Sequence, residues 1–113
     1  IMIKNIDVGK DFFVDLVNRD ENQGDGQFTA KQFREKYLSQ MDNKEFWINP
    51  KNTIVLDFQN VEVLGPSFAN EAFAYFTKYA KPEIIKKVIK IVNISKVKMS
   101  TIDVELNRSY DRK

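Results

Sequence analysis

The amino-acid sequence predicts an α/β fold in which helices pack against a small β-sheet. Its 113 residues are the length of one domain, and 42% hydrophobic with 30% charged residues is typical of a globular chain. Short runs with strand-like alternation are interspersed with segments of helical periodicity, which favours parallel strands joined by right-handed crossovers. We therefore expect one domain over residues 1–113, with the order β-β-α-β-α-β-α and a mixed sheet of about four strands.

The N-terminal quarter of the chain predicts two strands and a loop. Residues 3–8 form the first predicted strand, because the isoleucines at 1, 3 and 6 lie among polar residues. Residues 12–17 are dense in apolar side chains, and their alternation predicts a second strand, although a short helix has similar content. Residues 18–27 are polar and contain Gly24-Asp25-Gly26, which predicts a turn.

A helix is predicted to begin near Thr29. Thr29 and Gln32 have the spacing of a capping box, in which two side chains satisfy two free backbone N–H groups. The predicted buried face of this helix contains Ala30, Phe33, Tyr37 and Met41. Residues 42–52 are predicted to connect it to the next strand, with Phe46 and Trp47 packing back onto the body.

The second half of the chain alternates strand and helix. Residues 53–58 form the clearest strand and are apolar enough to be central in the sheet. A turn-rich connection over 59–66 leads to a helix over 67–80, which Lys81-Pro82 ends. The predicted apolar stripe of this helix is Ala69, Ala72, Phe73, Phe76 and Ala80. Residues 88–93 predict the last strand, and a final helix is predicted from about Ser100.

The chain has no cysteine and no histidine. This composition excludes disulfides, thiolate nucleophiles, zinc sites of Cys and His, and histidine general bases. We therefore expect no enzymatic activity, no cofactor and no metal. The alternative is a carboxylate enzyme or metal-dependent hydrolase that uses Asp57 and Glu71; structural roles at a strand end and in a first helical turn are favoured for both.

The charge is unevenly distributed. Residues 1–80 hold 9 Lys and Arg against 12 Asp and Glu, net −3, whereas residues 81–113 hold 9 against 4, net +5. A second alternative is therefore a nucleic-acid binder that uses Lys86, Lys87, Lys90, Lys96 and Lys98. We favour a solvated lysine face, because aromatic residues for base stacking are not interleaved with these lysines.

No apolar run approaches the roughly 20 residues that span a membrane. We therefore expect no membrane association. The absence of cysteine agrees with the cytoplasm, which is the predicted location.

The junction between the strand at 53–58 and the following helix is the most informative stretch. Ser67 either caps the helix or, if Pro66 is its first residue and Gly65 the cap, lies in the first turn. In both cases the hydroxyl lies where the backbone favours an anion, and phosphorylation there would add about −1.5 to −2 charges.

This junction resembles the STAS domain, the anti-sigma-factor antagonist fold. Asp57-Phe58 matches the Asp-Leu of that pattern, Val61 and Leu64 match its hydrophobic positions, and Ser67 falls on its phosphorylated serine. Gly65, Pro66 and Phe68 replace the Asp, the first Ser and the Gly of that motif. Ser-Phe-Ala-Asn-Glu-Ala-Phe at 67–73 and Phe33-Arg34 are more similar to a bacterial family of STAS-like domains of unknown function.

The resemblance implies a non-catalytic protein-binding module of a bacterial signalling or regulatory system. It implies a protein partner such as a histidine-kinase-type ATPase or an anti-sigma-like protein. The implied contact residues are Pro66, Ser67, Phe68, Asn70 and Glu71, with Ser67 as the candidate phosphorylation site. Phe68 is either an anchor in the interface or a core residue, and the core role is favoured.

Overall fold

The structure, a computed structural model, describes residues 3–21 and 26–113. The predicted turn at Gly24-Asp25-Gly26 therefore lies largely outside the described residues. The strands are β1 (Ile3–Asp7), β2 (Asp15–Leu16), β3 (Thr53–Asp57), β4 (Val63–Leu64) and β5 (Ile89–Val92). The α-helices are α1 (Val8–Asp11), α2 (Ala30–Tyr37), α3 (Lys44–Ile48), α4 (Pro66–Ala72), α5 (Pro82–Val88) and α6 (Lys96–Asp111). Two 3-10 helices span Ser39–Met41 and Ala74–Lys78.

The described strands form two parallel sheets. The first has three strands in the order β1-β3-β5, and β2 pairs with β4 in the second. Parallel pairing and the central place of β3 were predicted, and both are confirmed. The single mixed sheet of about four strands is wrong, because β2 and β4 pair only with each other and no described pairing is antiparallel.

The second predicted strand, residues 12–17, is reduced to the two residues of β2. The backbone N–H groups of Phe12 and Phe13 both donate to the Val8 carbonyl, so the chain turns there instead of extending. The Phe12 ring lies 5.2 Å from the Phe33 ring, and the Phe13 ring stacks 4.2 Å from Phe28. Phe12 and Phe13 are partly buried and pack against the core, which explains why alternation alone predicted the wrong element.

The order β1-β3-β5 places the helices on one face of the three-stranded sheet. Because right-handed crossovers that proceed in one direction across a sheet lie on the same face, the two connections share that face. Ile54 and Leu56 are buried, whereas Val55, which points to the other face, is only partly buried. Helix α6 packs on α4 and on the 3-10 helix Ala74–Lys78, so it belongs to the same helical layer.

The helix boundaries follow their capping residues. The predicted capping box is confirmed: the Gln32 N–H donates to the Thr29 hydroxyl at 3.1 Å, and the Thr29 N–H donates to the Gln32 side chain at 3.2 Å. Helix α6 begins before Ser100, because the Ser95 hydroxyl accepts the Lys98 N–H. Pro82 begins α5, a helix that was not predicted.

The prediction that the segment at 42–52 packs onto the body is confirmed. Its Phe46 and Trp47 lie on α3, which was predicted as a connection. Trp47 is buried 5.7 Å from the Phe76 ring, and its indole N–H donates to the Met41 carbonyl at 2.6 Å. The predicted helix over 67–80 is divided into α4 and the 3-10 helix. Of its predicted apolar stripe, Ala69, Ala72, Phe73 and Phe76 are buried and Ala80 is partly buried.

Candidate functional site

The start of α4 is fixed by the β2–β4 pair. The Gly65 N–H donates to the Leu16 carbonyl at 2.8 Å, so strand pairing continues up to the residue before the helix. Gly65 is the N-cap with extended backbone, and Pro66 is the first helical residue. Of the two alternatives for Ser67, the second is therefore correct: it lies in the first turn, and its hydroxyl makes no capping hydrogen bond.

Helical periodicity divides the predicted contact residues between two faces of α4. Phe68 is on the inward face with Ala69 and Ala72, and all three are buried. The other predicted contact residues, which keep some exposure, are Pro66, Ser67, Asn70 and Glu71.

Phe68 belongs to the core. None of its surface is exposed, and its ring lies 5.7 Å from Phe33 and 6.3 Å from Phe12. Of its two predicted roles, the core role is therefore correct, and its side chain offers no surface to a partner.

Asn70 joins α4 to two other parts of the chain. Its carbonyl oxygen accepts from the Arg19 guanidinium at 3.0 Å, and its amide donates to Glu105 and Ser109 of α6, each at 3.1 Å. The Glu105 side chain is only 7% exposed and also forms an ion pair with Arg108 at 3.2 Å. Asn70 therefore provides a hydrogen-bond donor for the Glu105 and Ser109 side chains where α6 packs against α4.

Glu71 pairs with a buried arginine. The Arg34 side chain is 9% exposed; it donates to the Glu71 carboxylate at 2.7 Å and to the Glu71 carbonyl at 3.2 Å. Because a buried guanidinium without an anion would be strongly destabilising, these contacts hold α2 against α4. Arg19 adds a weaker ion pair with Glu71 at 3.7 Å.

Arg34 also organises a polar cluster with Asp42, Tyr75 and Tyr79. Its guanidinium lies 3.7 Å over the Tyr75 ring and 3.6 Å from the Asp42 carboxylate. The Tyr75 and Tyr79 hydroxyls donate to that carboxylate at 2.7–2.9 Å. Burial alone would raise the pKa of Asp42, but these hydrogen bonds and the Arg34 charge outweigh it, so the pKa is lowered. The hydrogen bond to Asp42, with burial, raises the pKa of Tyr79 to about 12.

Sequence reasoning did not predict this cluster. Its one available signal was Phe33-Arg34 within the family pattern, but the arginine received no role. Glu71 lies 37 residues after Arg34, and Tyr75 and Tyr79 lie 33 and 37 residues after Asp42, so no local spacing could reveal these contacts.

A groove lies beside the N-terminal turn of α4. It has a volume of about 580 Å³, and Pro66 forms one wall. The other wall is the outer face of α6, with Lys96, Val97, Ser100, Thr101, Val104, Glu105 and Arg108. We call this feature the Pro66–α6 groove. Val97 is 78% exposed and Val104 is 47% exposed, so its surface is apolar and open to solvent.

The carboxylates of the alternative hydrolase site and one lysine of the alternative nucleic-acid surface have partners within the domain. Asp57 accepts the Gln59 N–H at 2.9 Å, whereas Glu71 is engaged with Arg34, so the two carboxylates serve different local partners. Residues 3–21 and 26–113 contain no group of three side chains that could hold a metal ion. Of the C-terminal lysines, Lys86 pairs with Asp103 at 2.8 Å. None of the described helices has the length and apolar character that crossing a membrane requires.

Comparison with known proteins identifies the family. The profile of a family described as STAS-like domain of unknown function (DUF4325) matches residues 29–99, which is more than half of the chain. Comparisons with curated proteins and with solved structures gave no significant match. The match contains β3, α4 and the segment 67–73 on which the resemblance was based. The chain therefore belongs to the family of STAS-like domains of unknown function.

Proposed function

We propose that this domain is a non-catalytic docking module of a bacterial signalling system in the cytoplasm, and that it binds a protein partner at the N-terminal turn of α4. The observation that carries the proposal is the exposed apolar surface around this turn. Among the described residues, seven large hydrophobic side chains are exposed. Two of them, Val97 and Val104, line the groove with Pro66. Val17 lies beside the N-cap Gly65, and Val63 is on β4, which ends directly before Gly65. Apolar patches of this kind mark interaction sites.

The contacts of α4 divide the predicted contact residues into two groups. Asn70 and Glu71 are bound by Arg19, Arg34 and α6, so their side chains primarily fix the helix. Pro66 is exposed and Ser67 is partly exposed, and neither caps the helix. We therefore assign partner contact to Pro66 and Ser67.

Ser67 gives this surface a means of control. It directly follows Pro66, which forms a wall of the groove. A phosphate there would add about −1.5 to −2 charges beside an apolar surface, and its desolvation would oppose docking. Phosphorylation of Ser67 is thus proposed to release the partner.

The experiment compares Ser67→Glu with Ser39→Glu. Ser39 is exposed and begins another short helix, so it receives the same charge in a similar position. Partners that copurify with the tagged chain from its native cells are identified by mass spectrometry, and the affinity of each purified partner is then measured by calorimetry.

Ser67→Glu is expected to weaken binding by about tenfold or more, because a charge would be buried in the interface. Ser39→Glu is expected to leave the affinity unchanged. The melting temperature of Ser67→Glu should change little, because an acidic residue in a first helical turn is favourable. Equal affinity of the two variants would contradict the proposal, as would recovery of no specific partner.

A further inference from the structure

We propose that the Pro66–α6 groove binds an amphipathic α-helix of the partner, with an apolar stripe in the groove and acidic residues near its two ends. This inference rests on the proposed function and adds the chemical class of the partner segment.

The shape of the groove fits an elongated partner. Its α6 wall runs from Lys96 to Arg108, and at 1.5 Å per residue this distance is about 18 Å, or about three turns of a second helix. Val97, Thr101, Val104 and Arg108 recur every three or four residues, so they form one continuous row along the wall. Rows of this kind pack against the side-chain rows of another helix.

The backbone of the wall favours a helix over an extended peptide. An added strand gains affinity by hydrogen bonding to a free sheet edge. The α6 wall is a helix, so its backbone N–H and C=O groups between the ends are already paired within it. A helical partner brings its own hydrogen bonds and needs only side-chain contact.

The charges of the groove determine the charge of the partner. Three charged residues line it: Lys96 at one end, and Glu105 with Arg108 at the other. Glu105 is 6% exposed and bonded to Asn70 and to Nη1 of Arg108, whereas Lys96 and Arg108 are exposed. The other N–H groups of the Arg108 guanidinium can bond a second carboxylate. An exposed cation therefore stands at each end of an apolar floor, which complements acidic residues about three turns apart.

The same charges disfavour a second copy of this chain. If two α6 helices met through this face, Lys96 and Arg108 of each copy would approach the cations of the other. Like charges at such contacts oppose association. A partner with the opposite charge is thus the preferred occupant.

The test uses two peptides of 16 residues. One carries Leu at positions that recur every three or four residues and Glu at the remaining positions, and in the other each Glu is replaced by Lys. Binding to the full chain is measured by calorimetry, and the perturbed residues are located by NMR. The Glu peptide is expected to bind at least about tenfold more tightly than the Lys peptide at low salt, with perturbations along 96–108.

Variants of the chain identify the surface and the charges. Combined Val97→Asp and Val104→Asp is expected to weaken the Glu peptide by about tenfold or more, because two buried charges would face its leucines. Ile48→Asp is the matched control, since Ile48 is 72% exposed on α3, and it should leave the affinity within about twofold. Combined Lys96→Glu and Arg108→Glu should reverse the preference between the two peptides.

Several results would overturn the inference: no binding of the Glu peptide, equal binding of both peptides, or equal effects of the valine and Ile48 variants. Dimerisation of the chain that the valine variants abolish would also overturn it, because a second copy would then occupy the groove. If these results occur while Ser67→Glu still weakens the natural partner, the inference fails and the proposed function stands. If the Glu peptide binds as expected and Ser67→Glu has no effect on the partner, the proposed function fails instead.

Discussion

The two ends of α4 differ in how their polar side chains are used. At the C-terminal end, Asn70 and Glu71 are bonded to four other residues: Arg19, Arg34, Glu105 and Ser109. At the N-terminal end, Pro66 and Ser67 provide no cap, and the surface beside them is apolar and exposed. One helix thus holds the fold together at one end and presents a surface at the other.

The comparison shows that neighbouring positions in a motif can have different purposes. Asn70 and Glu71 are only a turn away from Ser67, yet their contacts are satisfied within the domain. Among the described residues, no buried side-chain nitrogen or oxygen lacks a hydrogen-bond partner. The bonded end can therefore keep the exposed end in one orientation, which lowers the entropy lost on binding.

The largest expected effect is that of Arg34→Met, which changes the contacts of the C-terminal end of α4. This change removes a buried charge, deprives the partly buried Asp42 carboxylate of its ion pair with Arg34, and leaves Glu71 only its weaker pair with Arg19. We expect the free energy of unfolding to fall by about 3 kcal/mol, measured by urea denaturation. Lys31→Met is the control, because the Lys31–Glu21 pair is exposed and exposed ion pairs add little to stability. Equal losses in both variants would show that the Arg34 cluster does not hold α2 against α4.

A smaller effect is expected for Asn70→Ala. The variant removes three hydrogen bonds between α4 and its neighbours, and should lower the free energy of unfolding by about 1–2 kcal/mol. Its affinity for the partner should stay within about twofold, because the role assigned to this side chain is structural. Asn107→Ala, at an exposed position of α6, is the matched control. A loss of affinity without a loss of stability would contradict the structural role and show that Asn70 contacts the partner.

The smallest effect is the pH dependence of the Asp42 cluster. The pKa of Tyr79 is raised to about 12, above its ordinary value of 10.0. Its contribution to stability is therefore complete below pH 10 and disappears as pH rises through 12. The pKa of Asp42 is lowered from 3.8, so its contribution is present above that value and disappears as pH falls through the lowered pKa.

This dependence is measured by urea denaturation between pH 8 and pH 12. The difference in unfolding free energy between the parent and Tyr79→Phe should be less than about 1 kcal/mol, since Tyr79 is partly exposed, and should decrease steadily from pH 10 towards pH 12. Tyr110→Phe, at an exposed position on α6, should show no such convergence. A constant difference for Tyr79→Phe across this range would refute the hydrogen bond to Asp42 as its cause.

Much of the candidate site followed from local pattern. The strand before the junction, the buried face of α4 and the two possible positions of Ser67 were all predictable, because each depends on spacing within a few residues. Which of the two positions Ser67 occupies could not be predicted from local pattern. It depends on the pairing of Val63–Leu64 with Asp15–Leu16, which lie almost 50 residues apart and bring Gly65 to the Leu16 carbonyl.

By itself the sequence determined the family motif, the capping box at Thr29 and Gln32, and the parallel pairing around β3. Only the tertiary structure decided that Phe12 and Phe13 pack their rings against the core and that Arg34 meets Glu71. It also decided that Pro66 and α6 line opposite walls of an open groove. The physical reason is range: capping and periodicity act over one helical turn, whereas a buried charge or a groove depends on where distant parts of the chain meet.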